Sequence, residues 1–230
     1  MTDLFIISAP SGSGKSTLVN ELRKSVPNLD FSISYTTRPP RGSERDGHEY
    51  FFVTREKFED MVRRDQFLEH AEVFGHYYGT ARRFLEQAQA SGHDLLLDID
   101  VQGAAQVKQK FPDAVSIFVL PPSRAELERR LRKRSQAEHV ADNGVIERRL
   151  RTATKEIENY SKYDYILVND RLEQSTDLLE AIVLSERLQR SGKPLTPEQQ
   201  SMVETARRLL LPNAQPQIRA ILASFRPQEP

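Results

Sequence analysis

The chain has 230 residues and a mass of 26.4 kDa, enough for one compact domain with small inserted lobes and a sizeable core. Its 33 basic residues balance 33 acidic ones, which argues against a general polyanion binder and so against nucleic acid as a partner. The absence of cysteine excludes a disulfide framework, a thiolate zinc site and a cysteine nucleophile. The chain opens Met1-Thr2-Asp3 without a basic leader, and no stretch approaches the ~20 apolar residues of a membrane span. A cytoplasmic, untargeted protein without a membrane partner is expected.

Residues 4–7 form a short apolar run that fits a buried parallel strand. Turn-forming residues follow from Pro10 to Gly14, and 15–25 reads as a helix with Leu18, Val19 and Leu22 on one face. Residues 31–83 are richer in aromatics and suggest a small α+β insertion, with strands at 31–35 and 50–53 and a helix near 57–64. Strand and helix then alternate again. Strands are expected at 95–99, 115–120 and 165–168, and helices at 103–111, from Ser123 onward, at 145–161 and at 178–188. Ser123 with Glu126 reads as a capping box. Residues 124–151 carry nine basic against five acidic residues, and 139–144 reads as a mobile turn inside them. This alternation implies a parallel sheet covered on both faces, an α/β fold.

The tail from 191 differs. Thr196-Pro197-Glu198-Gln199 carries the signals of a helix start. Two apolar stripes follow, one through Met202, Val203, Ala206, Leu209 and Leu210, the other through Ile218, Ile221, Leu222 and Phe225. Two short helices are expected, packed on the chain's own core or serving as a subunit interface in a homo-oligomer.

Ser8-Ala9-Pro10-Ser11-Gly12-Ser13-Gly14-Lys15-Ser16-Thr17 closely matches the phosphate-binding loop pattern, with Ala9 in place of the first glycine. Small residues let successive backbone N–H groups wrap a phosphate, and the helix N-terminus adds partial positive charge. In this pattern Lys15 reaches the β- and γ-phosphates of a nucleoside triphosphate and the Ser16 hydroxyl binds Mg²⁺. Asp98 ends an apolar strand, as a carboxylate near Mg²⁺ or its water would.

The loop binds a donor without naming the acceptor. Ser34-Tyr35-Thr36-Thr37-Arg38-Pro39-Pro40-Arg41, then Glu44, Gly47 and Tyr50-Phe51-Phe52, resembles the GMP-binding segment of guanylate kinases. Phe67-Leu68-Glu69, Tyr77-Tyr78-Gly79-Thr80, the run from Leu97 to Gly103, and Val168-Asn169-Asp170 continue the resemblance, which spans roughly residues 3–188 in family order.

The resemblance implies a P-loop NTPase three-layer core, a GMP-binding lobe, a helical lid and a C-terminal extension. The core comprises 1–30, 84–123 and 152–190; the lobe is 31–83, the lid 124–151 and the extension 191–230. Transfer of the ATP γ-phosphoryl group to GMP, with Mg²⁺, is the implied reaction, and dGMP is a further candidate acceptor. Arg38, Arg41, Tyr50 and Tyr78 would hold the GMP phosphate. Glu69 would accept guanine N1–H and N2–H₂, Ser34 and Thr80 would bond the base from other sides, and Asp100 would lie near its amino group. Arg130 and Arg149 would contact donor phosphates, while Arg134 and Asn169 would flank adenine. Closure of lobe and lid is expected to exclude water. Ser135 stands where the family's lid commonly has glycine. Two alternatives differ in class: a non-catalytic guanylate-kinase-like module that binds phosphopeptides, and a related sugar-phosphate kinase.

Overall fold

The computed structural model describes residues 2–73, 75–137 and 143–226. In chain order the elements are β1 (Leu4–Ser8), α1 (Lys15–Ser25), β2 (Leu29–Phe31), β3 (Tyr35–Thr36), β4 (Phe51–Phe52), α2 (Arg55–Arg63), β5 (Phe67–Val73) and β6 (His76–Ala81). Then come α3 (Arg82–Ser91), β7 (Asp94–Asp98), α4 (Val101–Lys110), β8 (Val115–Leu120), α5 (Arg124–Ala137) and α6 (Asn143–Ile157). A 3₁₀ turn (Glu158–Lys162), β9 (Tyr165–Val168), α7 (Leu172–Ser191), α8 (Pro197–Arg208) and α9 (Leu211–Ser224) complete it. Contacts divide the chain into two compact units, one of Met1–Ile7 with Pro27–Val115, the other of Ser8–Val26 with Ser116–Pro230.

In the first unit, β7 runs parallel to both β1 and β2. Leu4 pairs with Leu95 and Ile7 with Asp98, while Phe31 pairs with Leu96. Leu4 to Ile7 and Leu95 to Leu97 are all buried, the unbroken apolar run of strands covered on both faces. The apolar run expected as one strand at 31–35 is divided: Phe31 ends β2 and pairs with β7, whereas Tyr35 opens β3. β3 belongs to a separate four-stranded sheet of order β4-β3-β6-β5. That sheet carries α2, started by Thr54, whose Oγ1 accepts from Lys57 N at 3.2 Å. Phe58, Met61 and Phe67 form its core, with Phe58 stacked on Phe67 and on Tyr77.

In the second unit β8 and β9 run parallel, Ile117 opposite Tyr165 and Leu120 opposite Val168. Helix α1 packs on α7, α7 on α8, and α5 on α6. Residues 139–142 of the turn expected at 139–144 lie outside the described residues, while Asn143 and Gly144 already belong to α6. At Ser123 only half of the expected capping box forms. Ser123 Oγ accepts from Glu126 N at 3.1 Å, but the Glu126 carboxylate is taken by Arg129 and Arg130.

The tail closes back on its own unit. Thr196 and Gln199 form the full capping box of α8. Ile166 N donates to Leu209 O at 2.8 Å and Leu211 N to Asp164 O at 2.9 Å, so the chain between α8 and α9 lines β9. Val203, Ala206, Leu209, Ala214, Ile218 and Phe225 are all buried within this chain. Among the described residues no helix is long and apolar enough to cross a membrane.

Candidate active site

The loop at 9–14 leads from β1 into α1. Gly12 (φ 93°) and Gly14 (φ 86°) both adopt the left-handed conformation that side chains disfavour. Space imposes the same requirement. A Cβ on Gly12 would lie 2.9 Å from Leu131 Cδ2, and one on Gly14 would strike the Asn169 side-chain amide. No side chain caps α1 at Gly14, and a helix start of this kind suits an anion. The hydroxyls of Ser8 and Ser13 are buried and have no hydrogen-bond partner among the described residues. Orphaned hydroxyls beside an uncapped helix start suit a loop that takes oxyanions. Lys15 is partly exposed, and Ser16 and Thr17 are exposed on the first turn of α1.

Groups from α5 and the residue after β9 meet this loop. Asn169 Nδ2 donates to Ser13 O at 2.7 Å, bracing the loop. Arg130 donates from Nε to Glu126 Oε1 at 2.7 Å, from Nη2 to Asn169 O at 3.1 Å and from Nη1 to Ser13 O at 3.4 Å. The Glu126 carboxyl is drawn down to about 2, chiefly by its hydrogen bonds to Arg129 and then Arg130. Arg149 Nη1 donates to the buried Ser135 Oγ at 3.4 Å, linking α6 to α5. Arg134 is exposed near the end of α5. Arg130, Asn169 and the loop are thus brought together. Asn169, expected beside adenine, has its side chain on the loop backbone.

The first unit builds a different cradle. Arg38 is buried, 4% exposed, and grips Glu44 with both ends of its fork, at 2.8 and 3.0 Å. Its guanidinium lies 5.2 Å from the Tyr50 ring centroid, and Tyr78 meets Tyr50 edge-on at 5.8 Å. Burial pushes the Glu44 carboxyl up, but Arg38 and the Arg41 N–H outweigh it and hold the group below its ordinary range. Arg41 is exposed beside them. Arg38, Tyr50 and Tyr78 therefore stand together, with Arg41 tied to them through its backbone N–H on Glu44. Glu44, which fixes the Arg38 fork, carried no assigned role in the sequence reading.

Glu69 lies in β5 opposite Thr80 of β6 and is 4% exposed. Burial raises its carboxyl to about 7, and Asp100 adds to the rise. Thr80 and Lys110 work the other way. The buried Thr80 hydroxyl stands beside the Glu69 carboxylate and favours its ionised form. Asp100 caps α4, accepting from Gly103 N at 2.8 Å. A Cβ on Gly103 would lie 2.9 Å from Glu69 Cδ, so glycine there makes room for the carboxylate. Ser34 is half-buried and its carbonyl accepts from Phe51 N at 2.9 Å. Asp98 ends β7 opposite Ile7.

A glycine-rich oxyanion loop, together with an arginine–tyrosine cradle beside a buried carboxylate, defines a P-loop phosphotransferase acting on a phosphorylated acceptor. Comparison with known proteins agrees. The guanylate kinase family profile matches residues 1–186. The chain is 62% identical over 223 residues to a guanylate kinase of Koribacter versatilis, covering 97% of this chain and 95% of that one. It is 50% identical over 190 residues to the guanylate kinase of Escherichia coli strain K12, covering 82% and 90%. A crystal structure of guanylate kinase from Anaplasma phagocytophilum superposes with a TM-score of 0.67 at 35% identity, covering 80% of this chain and 86% of that one. The chain belongs to the guanylate kinase family. The match to the Koribacter protein also runs into the tail, which the sequence reading had placed beyond the resemblance.

Proposed function

We infer that the chain transfers the γ-phosphoryl group of ATP to GMP, giving ADP and GDP. The observation that carries this reading is Glu69: a buried carboxylate beside an arginine–tyrosine phosphate cradle, in a chain with an intact phosphate loop. Guanine offers N1–H and N2–H₂ on one edge, and an ionised carboxylate accepts both. Adenine presents an acceptor at N1 instead, leaving the buried Glu69 without its partners, a mismatch of about 1–3 kcal/mol or more. A sugar phosphate would give this carboxylate no such donor pair. A binding module for phosphopeptides has no use for a donor phosphate loop with Lys15 and Ser16.

On the acceptor side Arg38 binds the GMP phosphate, its fork held in orientation by Glu44 before the ligand arrives. Arg41, Tyr50 and Tyr78 complete the phosphate contacts, and Ser34, Thr80 and Asp100 surround the base. On the donor side the loop from Ala9 to Ser13, Gly14 and the first turn of α1 wrap the ATP phosphates, with Thr17 closing the turn. Lys15 neutralises β- and γ-oxygens. Arg130 and Arg149 exchange their present partners for donor phosphate, Arg134 takes the adenine side, and Asn169 would have to leave Ser13 O to join it. The Ser16 hydroxyl is a hard oxygen donor suited to Mg²⁺. Bound Mg²⁺ would neutralise charge on the donor phosphates.

The attacking group is already a phosphate anion near neutral pH, so no general base is required. Catalysis is alignment plus stabilisation of spread negative charge by Lys15, Arg38, Arg130 and Arg149. A coupled ADP-release assay with ATP, Mg²⁺ and GMP or AMP tests the reading. GMP-dependent turnover that Lys15→Ala removes is expected; turnover with AMP in preference to GMP would overturn the assignment of Glu69.

A further inference from the structure

Strand β5 is the outer strand of its four-stranded sheet, with β6 on one side only. The other edge of an outer strand leaves alternate N–H and C=O groups without a strand to bond. Here α4 supplies the missing partners with side chains. Gln102 Nε2 donates to Glu72 O at 3.4 Å, Gln106 Nε2 to His70 O at 2.8 Å, and Lys110 Nζ to Leu68 O at 2.6 Å. Gln106 also accepts at Oε1 from His70 N at 3.2 Å, pairing both backbone groups of that residue.

The spacing explains why three rungs fit. Four residues of helix rise about 6.0 Å, and two residues of strand span roughly 6.4–6.8 Å. Positions i, i+4 and i+8 of a helix lying along a strand therefore meet every second residue. The rungs at Leu68 and His70 bracket Glu69 on both sides. Gly103, on the same helix between Gln102 and Gln106, leaves the space that the Glu69 carboxylate occupies. One helix thus opens the slot and pins the backbone on either side of the group that enters it.

We propose that Gln106 and Lys110 are positioning residues for acceptor specificity, holding the backbone around Glu69 so that its carboxylate meets the guanine edge. The proposal rests on the assignment of Glu69 to guanine recognition. Neither side chain need touch GMP. The charged groups that bear on Glu69 are Asp100, the N-cap of α4, and Lys110, its last residue, so Lys110 adds an electrostatic role that Gln106 lacks.

The test compares Gln106→Ala, Lys110→Met, Lys110→Arg and Glu69→Gln with the wild type. KM and kcat are read for GMP, for IMP (which lacks the 2-amino group) and for ATP. Gln106→Ala and Lys110→Met are expected to raise the GMP KM by about tenfold and to narrow the GMP-over-IMP preference, leaving the ATP KM within about twofold. Lys110→Arg keeps a donor for Leu68 O and should restore most of the loss. Lys110→Met should also move the pH midpoint of GMP binding upward, and Gln106→Ala should not.

Amide exchange at His70 in the wild type reads the ladder without any substitution: protection is expected, and free exchange would overturn it. Unchanged GMP parameters in both ladder variants would also overturn the proposal. So would GMP and ATP KM values rising together as melting temperature falls, which would mark a merely structural role. If Glu69→Gln weakens GMP while the ladder variants do not, only the positioning role fails. If Glu69→Gln leaves GMP untouched, the assignment of Glu69 fails and the proposal falls with it.

Discussion

Binding of GMP should release a proton from Glu69. The unliganded carboxyl is held at about 7 by burial and by Asp100, against the opposing influence of Lys110 and Thr80. Guanine N1–H and N2–H₂ need an acceptor on both oxygens, so the complex requires the ionised form. Apparent affinity then follows the ionised fraction: nearly complete at pH 8, about one half at pH 7 and about one tenth at pH 6. Saturating GMP at pH 7 should therefore expel about half a proton from this group. Titration calorimetry in two buffers of different ionisation enthalpy counts that proton directly. The phosphate of GMP titrates in the same range, so the same measurement on Glu69→Gln is subtracted; that variant keeps the ligand and loses the titrating group. Equal proton counts in wild type and Glu69→Gln would refute the argument.

The same shift has a cost in stability whose sign is fixed. A carboxyl raised in the folded state stabilises the fold while protonated, and that contribution is lost as pH rises from the ordinary carboxylate range through about 7. The gap corresponds to about 3 kcal/mol, an upper figure for a group this deeply buried. Glu69→Gln stays neutral, so its melting temperature relative to wild type should rise between pH 5 and pH 8, by up to roughly 10 °C.

Other expectations follow from the same geometry. Gly103→Ala should push the Glu69 carboxylate aside and raise the GMP KM by about tenfold or more with the ATP KM little changed, read by steady-state kinetics. Gly14→Ala, at φ 86° and against the Asn169 amide, should lower turnover by at least about a hundredfold, and equilibrium ATP binding checks that the defect lies on the donor side. Glu44→Gln should weaken the hold on the Arg38 fork and raise the GMP KM several-fold, roughly what one charge-assisted hydrogen bond is worth; GMP titration reads it. A chain ending at Arg190 loses the buried stripe from Val203 to Phe225 and should melt at least about 5 °C lower, while light scattering gives the same number of subunits as the full chain.

Much of the framework was legible because its signals are local. The expected helix at 15–25 and strand at 165–168 coincide with α1 and β9, where a glycine turn or an apolar run bounds the element. Elements without a start signal were missed or shortened. Helix α3 follows β6 directly from Ala81, with no side-chain cap, and drew no expectation. Helix α7 begins at Leu172 behind an uncapped Arg171, six residues before the expected 178. Helix α9 starts ahead of its prolines, taking Pro212 into its first turn and Pro216 into its interior. The run at 31–35 failed differently: its two ends serve different sheets, and period-two patterning does not say which sheet a residue joins.

Site residues were legible as chemical types in family order, not as arrangements. The sequence puts Glu69 and Gly103 in separate motifs; only the fold shows that the second exists to admit the first. Gln106 and Lys110 carry no motif at all, because a glutamine and a lysine four residues apart on a helix read as solvated surface. They acquire meaning only where a helix repeat of about 6 Å lies along a strand repeat of nearly the same length. That coincidence is non-local by nature. A residue that touches ligand leaves a mark in a motif, whereas a residue that aims another leaves one only in the packing. The buried carboxylate makes such aiming necessary, because an ionised group held away from water has few other partners to restrain it. Its orientation must come from the backbone that carries it, and α4 is the element bonded to that backbone on both sides of Glu69.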